Sequence, residues 1–245
     1  MSVLLVAHGT RNPLGVESSY RLAHAVSRRL GESVAVSFVD VVGPSPSEML
    51  AALPDGPVTV LPAFLARGHH VRVDVPRHVA EVDRPVTLAS ALGPSPELAR
   101  ALMIRLAEAG ATRAGTVVLA AAGSSDPLAH RDVERAARLL AARVHAPVSI
   151  AFASASADSP YGSVPDVVAD LRRRTPGGAI AVASYLLADG LFQRRLDQSG
   201  ADVVARPLGL ADPVVDLACA RVVAARAARA IPAVTARRQP VGIRA

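Results

Sequence analysis

Short, almost wholly apolar runs alternate along this chain with longer stretches in which apolar positions recur every three or four residues. Residues 3–7 form the first apolar run, and it breaks off at His8-Gly9-Thr10-Arg11-Asn12-Pro13. From there Leu14, Val16, Leu22, Ala23, Val26 and Leu30 keep helical spacing up to Gly31, which predicts a strand, a glycine turn and a helix in that order. A β-branched, alternating stretch over 34–42 predicts a second strand, closed by Gly43-Pro44-Ser45-Pro46, and then a short helix over 46–53 capped by Ser45. Residues 58–61 predict a third strand, apolar enough to be covered on both faces. The next segment, 62–76, breaks the pattern with two histidines, three charged residues and Gly68. Pro76 opens another helix or loop, 85–89 predicts a fourth strand, and 96–109 a helix capped by Ser95 and ended by Gly110. Strands alternating with helices over short loops predict an α/β fold with a parallel sheet.

The second half repeats the first. Strands are predicted over 116–121, 148–153 and 179–183, and helices over 129–144 and 213–230. Residues 122–127 line up with 8–13, Phe152 stands opposite Phe38 and Gly190 opposite Gly68. The pattern predicts two duplicated α/β domains, residues 1–112 and 113–231, and an Arg-rich, non-periodic tail over 232–245 that is expected to be poorly ordered.

Composition narrows the functional classes. Hydrophobic residues make up 51% of the chain and aromatics only 3%, so the core is Val, Leu and Ala packing, and stacking platforms for nucleic acid are not expected. The single cysteine, Cys219, supports neither an internal disulfide nor a thiolate metal cluster and reads as a small buried hydrophobe. The apolar runs are too short to cross a bilayer and no basic leader precedes them, so a cytoplasmic protein without membrane contact is expected. All basic residues are arginine and the net charge of +6 favours an anionic ligand. The arginines are scattered except at 172–174 and 237–238, which read as solvated surface; a DNA-binding stripe is not indicated.

The repeat makes the chain its own control. His8 corresponds to Ala122, His69 to Leu191, His70 to Phe192, Asp40 to Ser154 and Asp74 to Leu196, while the apolar strands and the glycines are kept. The fold therefore does not require these ionisable residues. His8, Asp40 and His69/His70 all follow the carboxyl ends of strands, where ligands meet open α/β sheets. Two neutral imidazoles and a carboxylate suit Fe²⁺, Co²⁺, Ni²⁺ or Zn²⁺, and equally suit general base chemistry near neutral pH. The paired loss of His8 and His70 in the second half singles out that pair. Asp74 reads as a cap for the helix after it, and His24, His78, His130 and His145 as surface or packing residues. Gly9 alone makes no phosphate fingerprint, and no Gly-x-x-x-x-Gly-Lys-Ser/Thr loop is present, so neither ATP nor an organic cofactor is expected.

His8-Gly9-Thr10-Arg11 after an apolar strand, then Asp40, then His70 followed by Asp74, an aliphatic residue and Pro76, resembles the class II chelatases that act on sirohydrochlorin. Thr10 stands where that family usually has Ser, and Asp40 where Glu often occurs. The resemblance covers residues 1–110 in motif and 115–230 in fold only. It implies two three-layer αβα domains with mostly parallel sheets facing a central cleft. It further implies a lyase inserting Fe²⁺ (toward sirohaem) or Co²⁺ (toward cobalamin) into sirohydrochlorin; the donor types do not separate these ions from Ni²⁺, and the internal duplication points to a monomer with a self-contained cleft. In that reading His8 and His70 are catalytic, His8, His70 and Asp40 hold the metal, and Arg11, Arg67 and Arg72 hold the carboxylate-ringed macrocycle. The competing reading is a non-catalytic protein that binds or delivers a divalent metal through the same histidines.

Overall fold

The computed structural model describes residues 2–111, 115–156 and 159–230. The tail expected to be poorly ordered, 232–245, and the expected boundary at 112/113 lie outside the described residues. The first half contributes strands β1 (Ser2–Ala7), β2 (Val34–Phe38), β3 (Val58–Pro62) and β4 (Val86–Leu88) and helices α1 (Pro13–Leu30), α2 (Pro46–Ala52), α3 (Val75–Ala80) and α4 (Pro96–Glu108). The second half contributes β5 (Thr116–Ala121), β6 (Val148–Phe152), β7 (Ile180–Tyr185) and β8 (Val203–Val204) with α5 (Pro127–Ala141), α6 (Val164–Arg174), α7 (Leu191–Asp197) and α8 (Asp212–Ala230). Helices α6 and α7 and strand β8 are additions to the elements legible in the pattern.

Each half forms a four-stranded parallel sheet, in the orders β2-β1-β3-β4 and β6-β5-β7-β8. Ser2 pairs with Val58 and Thr116 with Ile180, so the two sheets share one register. Alternation along the central strands divides the core. Val3, Leu5 and Ala7 face one apolar cluster and Leu4 and Val6 another; likewise Val117, Leu119 and Ala121 share the first cluster while Val118 and Ala120 face a third. The shared cluster joins both halves, and the other two lie on the outer faces.

The helices that fill the shared layer are exchanged. α8, from the second half, lies on β3 and β4 beside α1, whereas α4, from the first half, lies on β7 beside α5. Each sheet is thus covered on its inner face by one helix of its own half and one of the other, so the sequence repeat and the packing unit differ by one helix. Cross-half hydrogen bonds seal the exchange: Arg105 Nε and NH2 donate to Leu208 O at 3.3 and 2.9 Å, and Arg226 of α8 forks onto Glu32 at 2.7 and 2.9 Å. Cys219 is buried in this layer, and burial pushes its thiol up.

The second strand is shorter than its β-branched pattern predicts. β1 ends at Ala7, so the ladder runs out of partners; Val39 N–H still reaches Ala7 O and Asp40 N–H reaches His8 O, both at 3.0 Å. Val41 then takes a φ of 70° and turns the chain away. Asp40 consequently sits in a loop rather than on a strand. The Arg172–174 cluster lies on solvated surface, where Arg172 pairs with Asp202 at 2.9 Å and Arg173 and Arg174 share Asp170.

Candidate metal centre

Three loops at the carboxyl edge of the first sheet carry the site. The loop after β1 turns through Gly9, whose φ is 98° and where an added Cβ would lie 1.9 Å from the backbone oxygen of Asp40. Only glycine lets the His8 loop pass this close to the Asp40 loop. Asn12 then caps α1 by accepting from Leu14 N–H at 3.1 Å, with Pro13 in the first turn. Gly123 repeats the crossing against Ser154 O in the second half. The geometry is therefore duplicated and the chemistry is not.

The loop after β3 enters a π-helical turn, His70–Asp74, that runs directly into α3. Pro76 has no N–H to donate and its ring crowds the carbonyl four residues back, which widens the turn before it. The expected cap role of Asp74 does not occur: its backbone is helical and its side chain makes no cap bond. Its carboxylate instead meets His70 Nδ1 at 2.6 Å, with Arg77 at 3.5 Å on its other oxygen.

This fixes both rings. A carboxylate only accepts, so His70 Nδ1 carries the proton and its Nε2 is left with a free lone pair in the neutral ring. His8 Nδ1 lies 3.1 Å from Gly9 O, another acceptor, which leaves its Nε2 free in the same way. The two rings stand edge to face with centroids 4.6 Å apart. His8, Asp40 and His70 each offer a ligand atom, and these atoms lie within 4.8 Å of one another. A divalent ion bound by three such donors keeps open coordination positions. His69 is outside this group: its side chain is 66% exposed, and its contact is a distant 3.8 Å to Asp74.

The candidate arginines divide. Arg67 is committed to the second half: its backbone N–H and Nε donate to Asp132 Oδ2 at 2.8 and 3.0 Å and its NH2 to Oδ1 at 2.8 Å. Arg72 pairs with Asp126 of the second half and donates from Nε to Arg67 O at 3.2 Å. That pair holds the Asp126 carboxyl below the usual carboxylate range. Arg11 is exposed, and no ion pair of it is found among the described residues. Sequence reasoning gave Asp74 a cap role and missed Asp126 and Asp132. Asp74 was signalled by its i+4 spacing from His70. Asp132 was signalled by standing among Ala129, Val133, Ala136 and Leu140 on the apolar face of α5, where it is only 3% exposed.

Residues 2–109 match the family model described as CbiX. A sirohydrochlorin cobaltochelatase of Methanothermobacter thermautotrophicus is 37% identical over 86 residues, which is 34% of this chain and 59% of that protein's length. Among solved structures, SirB from Bacillus subtilis with Fe³⁺ superposes with a TM-score of 0.77 at 22% identity, over 93% of this chain and 96% of that one. The cobalt complex of the sirohydrochlorin chelatase SirB from Bacillus subtilis subspecies spizizenii gives 0.72 at 19% identity, over 91% and 94%. At these identities the two structures establish a common fold. No helix among the described residues is long and apolar enough to cross a membrane.

Proposed function

We propose that this protein, whose residues 2–109 match the CbiX family model, inserts a divalent metal ion into sirohydrochlorin. The observation that carries the reading is the convergence of His8, Asp40 and His70 at one sheet edge of a domain whose curated relative is a sirohydrochlorin cobaltochelatase. The metal is a substrate, to be taken up and passed on. Three protein donors hold it loosely enough for release, whereas a closed four-ligand site would retain it. Insertion also requires the pyrrole nitrogens to lose protons, and imidazoles with a free Nε2 can accept them near neutral pH. His8 and His70 fill both roles in sequence, and Asp40 balances the charge of the ion.

The macrocycle is a polycarboxylate, and Arg11 beside His8 is the arginine free to meet it. Arg67 and Arg72 keep part of their side chains exposed, at 61% and 43%, and add positive potential beside the site while bound to their own acids. Imidazole and carboxylate do not separate Fe²⁺, Co²⁺ and Ni²⁺ sharply, so the ion inserted follows cellular supply. Incubating the purified protein with sirohydrochlorin and Co²⁺ or Fe²⁺, and following the macrocycle's absorption, tests the reading. Acceleration over the protein-free reaction is expected; a rate equal to that control sinks it.

A further inference from the structure

The second half has the same strand-end crossing as the first but contributes no ligand to the triad. At the carboxyl edge of the first sheet it touches the start of α1 through Asp189 and Gly190, beside Gly15 and Asn12, and the loop after β4 through Arg221, which donates to Leu92 O, but its contacts concentrate on one segment, 65–72, which delivers His70. Tyr185 donates its hydroxyl to Leu65 O at 2.9 Å. Asp132 accepts three hydrogen bonds from Arg67, one of them from the backbone. Gly68 lies against Ser124 and Ala129, close enough that an added Cβ would be 3.9 and 3.7 Å from them. Asp126 takes the guanidinium of Arg72, whose Nε closes back onto Arg67 O.

We infer that the second half acts on the metal chemistry as a template for the His70 loop, with Asp126 and Asp132 as positioning residues for His70. Three arguments support this. First, the contacts fall on both sides of His70, at positions 65–68 and at 72, so they restrain the loop's path and the direction in which His70 leaves it. Second, Asp132 is a buried acid whose partners are all on Arg67, and a backbone N–H is among them; a pair serving only surface charge would not need that bond. Third, the hydrogen bond between the His8 and Asp40 loops and their Gly9 crossing are internal to the first half, with the second half adding only the approach of Asp189 and Gly190 to Gly15 and Asn12, whereas the His70 loop is anchored by side-chain hydrogen bonds to the other half. The triad is then completed only when the halves are docked.

The proposal rests on the metal-insertion reading, and its test separates the two. Asp132→Asn keeps the shape and loses the charge. Asp126→Asn keeps a residue that caps α5 well and weakens the tie to Arg72, so it provides a variant that folds if the first does not. Glu32→Gln is the control: it loosens the Arg226 fork, also between the halves but remote from the His70 loop. Hydrogen exchange of the peptide covering 65–74 reads the restraint itself. It is expected to quicken about tenfold or more in both aspartate variants and to stay at the wild-type rate in the control. Co²⁺ binding without macrocycle is expected to weaken about tenfold, and kcat for Co²⁺ insertion to fall by a similar factor with KM for sirohydrochlorin little changed, in the range seen when supporting partners of ligand histidines are removed. Unchanged exchange over 65–74 in the aspartate variants overturns the proposal. So does faster exchange with wild-type Co²⁺ binding and insertion, or equal losses in Glu32→Gln, which would reduce the contacts to general docking. A wild-type protein that binds Co²⁺ but inserts none counts against the insertion reading alone, and the Co²⁺ affinities still decide this one.

Discussion

At the scale of single residues, the site divides into ligands and the groups that aim them. His8→Ala and His70→Ala are each expected to fold normally and to lose insertion by at least about 10²-fold, the size of a general-base contribution. His69→Ala is expected to stay within a few-fold, because its side chain is exposed and outside the triad. Steady-state insertion rates for the three variants check this; a more damaging His69→Ala would transfer the ligand role by one residue. Asp74→Ala removes the acceptor that fixes the His70 tautomer. Metal affinity or rate is expected to drop roughly 10–100-fold, with Asp74→Asn recovering part of it through its amide oxygen. Titrating Co²⁺ by its visible absorption separates that loss from unfolding.

Loops and helices set the next scale. Gly9→Ala places a side chain where the Asp40 loop already passes and demands a φ of 98° from a residue with a Cβ. The conformational cost alone is about 1–3 kcal/mol, and the clash adds to it, so thermal unfolding should show a clear drop together with loss of metal binding. The exchanged helix α8 is held to the first half by Arg226 and Glu32. The hydrogen bond from Arg226 holds the Glu32 carboxyl below its ordinary value of 4.5. A lowered carboxyl stabilises the fold at pH above the unfolded value, and that contribution fades as pH falls through the folded one. Acid denaturation profiles are therefore expected to flatten in Glu32→Gln at pH below 4.5, with the two proteins converging as the carboxylate is protonated.

For the whole molecule, the exchange of α4 and α8 ties the fate of the two sheets together. Each would expose an apolar inner face without the other half's helix. A single cooperative unfolding transition is expected, and residues 1–111 expressed alone are expected to be poorly folded. Calorimetry showing two resolved transitions, or a well-dispersed NMR spectrum from the isolated half, would contradict this. Exchange also gives the chemically bare half a reason to remain in the chain, since it covers the first sheet and braces the His70 loop.

Local order was legible in the residues themselves. Apolar periodicity marked strands and helices, Ser45 and Ser95 preceded helix starts, and the internal repeat separated what the fold needs from what it does not. His8 and His70 stood out because Ala122 and Phe192 occupy the same places. These signals are short in range: each depends on neighbours a few residues away or on comparison of one half with the other. Tertiary structure alone decided the rest. Arg67 and Arg72 became ties because their acids lie 65 and 54 residues away, and two helices changed sheets. Such pairings depend on which surfaces meet once the chain has closed, and an ion pair or a helix face carries no local mark of the distant partner it will find.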